Sequence, residues 1–332
     1  MLRHVSTYLL FALVITSAQE PPFRVQTKVV QIPVSVTNQN GGSVDGLSAQ
    51  DFTVLDNGIR QADVTLDDFS TGLAPISIGI VIQTSAASKP ALVKISSIGG
   101  MIQPLIVGER GAAAVVTFDQ NVRWLQDFTS DDIEIRSALK NLRASRSGEA
   151  RMIDAIAEVA DRLKERNGRR ILLVIGESRD RGSDTGFQKV RELIERESIE
   201  VFGIHYSAYA TAMVAKPEDL PESSPMVMSG DPNDWPPSPP TVNFLAIGAE
   251  LARLASVKPV EVLAQLTGGF DDTFIKETAL QRAIGRIGTD VHSQYVLSFP
   301  QLKPSRGIHQ LEVTVPANRG VRIRSRRTYL AD

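Results

Sequence analysis

Ile76-Ser77-Ile78-Gly79-Ile80-Val81-Ile82, followed by Gln83-Thr84-Ser85-Ala86-Ala87-Ser88, decides how the rest of the chain is read. The first stretch is almost wholly apolar and mostly β-branched. That predicts a strand covered on both faces, as in the middle of a parallel sheet. The small and hydroxyl residues after it predict a tight loop at the strand's carboxyl end, the edge where open α/β sheets bind ligands. From Lys89 to Ile106 the pattern turns helical.

The same alternation continues outward. Gly111–Phe118, Ile171–Ile175 and Val201–His205 read as further buried strands, and Val122–Leu125 as a short edge strand. Helices are predicted after the capping group Ser130-Asp131-Asp132, along Met152, Ile153, Ile156, Val159, Ala160 and Leu163, over Gly186–Glu197, and again at Phe244–Leu254, Pro259–Leu266 and Lys276–Ile287. Strands separated by helices mean crossover connections. The fold class is therefore α/β, a doubly wound and mostly parallel sheet of Rossmann-like type over 73–299. Residues 215–241, with Pro236-Pro237-Ser238-Pro239-Pro240, are too rich in proline and polar residues for a packed element and read as an exposed excursion.

The ends differ. Arg24 to Phe69 alternates with period two, Pro33 hints at an edge, and Asp56-Asn57-Gly58 is a strong hairpin signal. Residues 295–299 and 308–330 alternate in the same way. Isolated hairpins bury too little apolar surface to stand alone. Segments 24–70 and 300–332 are therefore expected to form one small β module beside the α/β region.

Composition limits the function. A net charge of −2 offers no bulk attraction to nucleic acid. Met1-Leu2-Arg3-His4, the apolar run Tyr8–Ile15 and the small residues Thr16-Ser17-Ala18 have the layout of a secretory signal peptide over 1–18. No later run is long enough to span a bilayer, so the expected location is secreted or periplasmic. The absence of cysteine rules out disulfides, thiol catalysis and cysteine–zinc sites.

Taken together, "DGLSAQDFTVLDNG", the strand and loop at 76–88, and a closing "YVLSF…HQLEVTV…VRIRSRRTYLA" resemble the von Willebrand factor A-related domain of secreted acidobacterial-type proteins, over nearly the whole mature chain. The resemblance implies a metal site drawn from three loops: aspartate and two serines in a D-x-S-x-S pattern, then a threonine, then an aspartate. A partner carboxylate would complete the magnesium shell. At those positions this chain has Gln83, Ser85, Ala87, Ala150 and Glu177. Ser85 alone matches, with Glu177 a longer substitute. The expectation is a degenerate site with no metal and no cofactor. The alternative is a magnesium-dependent adhesin whose ligand set has shifted onto Ser88 or Asp180.

Other chemistry finds little support. Four histidines show no metal-ligand spacing, and His205 and His292 read as structural. Asp119, Asp127, Asp131 and Asp132 read as caps and solvated loops. Gly176-Glu177-Ser178-Arg179-Asp180 lacks the second glycine of a nucleophile elbow. Arg322, Arg324 and Arg326 alternate along a predicted strand and read as a solvated face guarding an edge, with an acidic partner as the other reading. The chain is expected to be a non-enzymatic protein-interaction or adhesion module. Its partner would be a protein of the cell envelope or the exterior, contacted through Gln83, Thr84, Ser85 and Glu177, and an unrecognised hydrolase is the reading from another class.

Overall fold

A computed structural model of the protein describes residues 29–67, 75–207, 258–301, 306–316 and 320–331. The expected signal at 1–18, the proline-rich excursion at 215–241 and the helix at 244–254 lie outside the described residues.

The apolar strands assemble as their sequence requires. A six-stranded sheet has the order β10-β9-β8-β5-β6-β7. Its members are β5 (Ile76–Gln83), β6 (Ala112–Phe118), β7 (Val122–Thr129), β8 (Arg169–Gly176), β9 (Glu200–His205) and β10 (Asp271–Thr273). Every pairing is parallel except β6 with β7. All eight residues of β5 are buried, as befits a central strand. From β5 the chain moves out to β6 on one side and returns to β8 on the other. Its carboxyl end is therefore the switch point of the sheet.

Helices cover both faces. Packed on one are α1 (Lys89–Ser96), α2 (Gly99–Ile102), α3 (Asp132–Lys140) and α7 (Glu277–Ser293), which bury Ile95, Ile135, Leu139 and Ile284 with Ile78, Ile80 and Ile82. On the other face α4 (Met152–Leu163), α5 (Phe187–Arg196) and α6 (Pro259–Thr267) bury Ile156, Val159, Val190 and Leu263 with Val81 and Val174. Helix α4 lies so close to β5 that a Cβ at Gly79 would come within 2.2 Å of Val159 Cγ1. Only glycine permits that approach. The continuous helix expected over Lys89–Ile106 breaks after Ser96 and ends in a π-helical turn at Gln103–Val107. Gly99, Gly100 and Pro104 weaken the ordinary helical pattern there. Among the described residues no single helix is long and apolar enough to cross a membrane.

The end segments build two four-stranded sheets, β13-β1-β11-β4 and β14-β12-β2-β3. The strands are β1 (Val29–Thr37), β2 (Thr53–Asp56), β3 (Ile59–Arg60), β4 (Thr65–Asp67), β11 (Tyr295–Pro300), β12 (Gly307–Thr314), β13 (Arg322–Ser325) and β14 (Thr328–Ala331). One core joins the two sheets, with Ile32, Val34, Val54, Phe299, Val313 and Tyr329 among its members. Between β2 and β3, Asn57 and Gly58 have φ of 48° and 78°, the doubly left-handed turn suited to a two-residue hairpin. Strand β11, read from sequence as the end of the α/β region, instead pairs with β1 and β4. Pro33 lies opposite Val296, just before β1 gains β13 as its second neighbour at Val34. The open edge the proline needs is thus local to one half of β1.

A polar seam at the amino-terminal end of the parallel sheet ties the two units together. Arg169 Nη2 donates to Glu200 Oε2 at 3.0 Å, Gln294 Nε2 to Glu200 Oε1 at 2.6 Å, and Ser35 Oγ to Asp290 Oδ1 at 2.7 Å. Arg324 pairs with Asp290 and donates to Ser35 Oγ at 2.9 Å. Burial raises the Glu200 pKa above the usual carboxylate range although Arg169 opposes the shift.

The arginine stripe is not one solvated face. Arg322 is exposed, Arg324 belongs to the seam, and Arg326, just past β13, is only 2% exposed. Arg326 donates to Ser198 Oγ at 2.7 Å and to the carbonyls of Glu195 and Ile194 at 2.9 and 3.4 Å. These carbonyls lie at the end of α5, where a cation is favoured. Burial lowers its pKa to about 10, against the opposing charges of Glu195 and Glu200.

Candidate functional site

At the switch point β5 ends in Gln83, and the turn Ala86–Ser88 leads into α1. Neighbouring backbone holds the loop. Thr84 N–H donates to Phe118 O at 2.8 Å, Ser145 N–H to Thr84 O at 2.7 Å, and Ala86 N–H to Ser147 O at 2.9 Å. The second and third loops are joined in turn. Ala150 and Arg181 exchange backbone hydrogen bonds of 2.9 and 2.8 Å.

Gln83 is the hub. Its Oε1 accepts from the Glu177 backbone N–H at 2.7 Å, and that donor fixes which way round the amide lies. The Nε2 group then faces inward, donating to Ser85 Oγ at 2.7 Å and reaching Glu177 Oε2 at 3.4 Å. The Glu177 carboxylate also pairs with Arg181. Gly176 leaves room for the amide, since a Cβ there would lie 2.9 Å from Gln83 Oε1. Ser85 Oγ lies 3.5 Å from Ser88 Oγ, which accepts from Tyr206 OH at 2.8 Å. Burial raises the Tyr206 pKa, so the phenol stays a donor.

Of the four residues expected to meet a partner, Gln83, Thr84 and Ser85 are buried, at 0%, 2% and 0% exposure. The structure does bring them together with Glu177, but only Glu177 reaches the surface. Arg181 pairs with Glu177 at the solvent-facing rim, and Arg146 and Glu149 of the second loop are exposed. Sequence reasoning missed two members of the site. Asp119, read as a loop residue, is fully buried one position beyond β6 and is held by Arg123 and by Asn121 N–H at 2.8 Å. Burial pushes its carboxyl up, but the bonds from Arg123, Asn121 and Ser145 outweigh burial and hold it below the usual range. Its place straight after an all-apolar strand at the ligand edge was the available signal. Tyr206, one residue past β9, carried none, because its role depends on Ser88 from another loop.

A hard dication does not fit this donor set. Magnesium needs several oxygens in near-octahedral array. Ala87 and Ala150 have no side-chain oxygen, Glu177 is already neutralised by Arg181, and Gln83 turns its N–H donors, not its oxygen, toward Ser85. The substitute ligands are committed elsewhere. Asp180 Oδ1 accepts from Ile153 N–H at 2.9 Å and Ser183 Oγ at 2.6 Å, capping α4, and Ser88 is held by Tyr206. Ser85 Oγ neighbours an amide and a hydroxyl, neither of which is a base able to activate a nucleophile. His205 is likewise tied into the sheet, with Nδ1 3.1 Å from Gly176 O and Nε2 2.7 Å from Asp271.

The fold is α/β, a largely parallel sheet with helices on both faces. No protein-family model matches the chain, and neither does any curated protein. Among solved structures it is similar to an aerotolerance-related membrane protein from Bacteroides fragilis NCTC 9343, with 15% identity and a TM-score of 0.42, covering 64% of this chain and 98% of that one. The conserved hypothetical protein BatB from Bacteroides thetaiotaomicron aligns with 14% identity, a TM-score of 0.42 and the same coverage. The vWF domain of the type V pili tip protein Mfa5 from Porphyromonas gingivalis aligns with 16% identity and a TM-score of 0.27, over 31% of this chain and 37% of that one. Likenesses of this degree say nothing of partner or activity.

Proposed function

We propose that this chain is an exported, non-enzymatic protein-interaction module that engages its partner through the loop rim at the carboxyl edge of the sheet, without a metal. One observation supports the reading above the others: the Gln83 amide occupies the centre of the site with its donors inward, joining Ser85 to Glu177 as a cation would otherwise do. The buried residues shape the rim, and Glu177, Arg181, Arg146 and Glu149 present it.

Melting in millimolar Mg²⁺ or Mn²⁺ against chelator tests metal independence. A site of micromolar affinity would add about 4 kcal/mol at millimolar metal, whereas no shift is expected here. A metal-dependent shift in the unmodified protein, abolished by Ser85→Ala or Glu177→Ala, would overturn the reading in favour of an adhesin. Gln83→Asp combined with Ala87→Ser and Ala150→Thr restores the missing oxygens and is expected to create a metal response. For the interaction itself, the tagged mature protein is expected to retain an envelope protein equally in chelator and in Mg²⁺. Reversing the rim with Glu177→Arg and Arg181→Glu should release it. Turnover of generic ester or peptide substrates by the purified protein would defeat the non-enzymatic part.

A further inference from the structure

The two arginines of the stripe that remain outside the core, Arg322 and Arg324, line a cleft of 510 Å³, and Arg286 of α7 joins them there. The cleft lies along the seam, at the opposite end of the parallel sheet from the Gln83–Glu177 rim. Among the described residues Asp290 is the one carboxylate in its lining, and Thr37, Ser43 and Thr289 supply hydroxyls. Three guanidiniums therefore converge against a single carboxylate.

Two of these cations share one aromatic ring. Arg286 and Arg324 both rest against the Phe270 ring, 4.1 and 5.2 Å from its centroid. Each gains from the ring while the like charges are kept close together. Arg324 directs Nη2 to Ser35 and Asp290, and its Nη1 is buried without a hydrogen-bond partner. Arg286 pairs with Asp272 only at 3.4 Å, at an exposed position. Arg322 is exposed at the mouth. The protein thus positions more positive charge here than its own carboxylates neutralise.

We propose that this cleft binds a multiply charged oxyanion, the phosphoryl group of a phosphate monoester. Guanidinium groups offer paired N–H donors matched to two oxygens of such a group, and hydroxyls can serve a third. A single carboxylate would leave the cleft positively charged, so the tetrahedral dianion is the better complement. The cleft and the rim lie at opposite ends of the sheet and share no residue.

Titration calorimetry on the whole protein, with inorganic phosphate, pyrophosphate and sulfate at constant ionic strength in chloride, tests the proposal. Vesicles containing phosphatidic acid form a separate arm. Pyrophosphate is expected to bind saturably, and Arg322→Gln or Arg286→Gln to weaken it about tenfold each, the loss of one charge-assisted pair. Neither substitution touches the Ser35–Asp290–Arg324 bonds, and an unchanged melting curve verifies the fold. Arg143→Gln, an exposed arginine elsewhere, is expected to leave binding as it was. Saturable binding of pyrophosphate that both cleft variants weaken supports the site, with a lipid headgroup added as a source if the vesicles bind as well. The proposal is overturned if none of the three anions binds, if both cleft variants bind like the unmodified protein, or if vesicles alone bind.

Discussion

At the carboxyl edge of the parallel sheet, Gln83 joins Ser85 and Glu177 through a neutral amide. At the amino edge, Arg169, Glu200, Asp290 and Arg324 are joined through full charges. Both networks are largely buried, and both bring together segments distant in sequence. The neutral hub is satisfied in place and needs no compensating charge. The charged seam depends on every member, because removing one strands its partner's charge out of water. Each end should therefore fail in its own way.

The largest effect is expected at the charged end. Arg326→Ala removes a buried guanidinium and takes away the donors to the Glu195 carbonyl and the Ser198 hydroxyl, so denaturant unfolding should show a loss of about 3 kcal/mol or more. A loss below the range of a surface substitution would break the comparison. At the neutral end Gln83→Ala orphans the Glu177 N–H and the Ser85 hydroxyl, for an expected loss of about 2 kcal/mol by the same measurement.

Acid distinguishes the two ends by sign. The Asp119 pKa is held below the usual range by its bonds, so its stabilisation is present at neutral pH and is lost as the pH falls through the folded value. The advantage of the unmodified protein over Asp119→Asn, about 1 to 2 kcal/mol at neutral pH, should shrink on acidification. Glu200 is raised by burial, so the balance between the unmodified protein and Glu200→Gln should move toward the unmodified protein as the pH falls from neutrality into the ordinary glutamate range. Stability curves for both variants that slope the same way would show the contrast to be misassigned. The smallest effect belongs to the rim. The Arg181–Glu177 pair is partly exposed, so Arg181→Gln should cost less than about 1 kcal/mol, and a larger loss would mean that the rim is part of the core of the site.

How much of this was legible depends on whether a feature is local. The all-apolar strands β5, β6, β8 and β9 and the Asn57-Gly58 turn declare themselves, because burial on both faces and positive φ each demand particular residues nearby. The three loops at the switch point were placed by following those strands. Three things stayed hidden. Strand β11 alternates like any half-buried strand, and nothing local says which sheet it joins. Arg326 looks like a surface cation until the end of α5, more than a hundred residues earlier, supplies its acceptors. Thr84 and Ser85 look like contact residues until loops from 145–151 and 177–181 cover them.

The interleaving of the chain has a mechanical consequence. Strands β1 and β14 both belong to the two-sheet module, while the whole α/β domain is inserted between β4 and β11. Traction applied to the two outer strands is therefore carried by the antiparallel pairs β1–β13, β1–β11 and β12–β14, and it must shear these before any load reaches the insert. Such loading is resisted at a rate set by the unfolding barrier of the module alone. The rim at the far end of the sheet would keep its shape under tension that the module withstands.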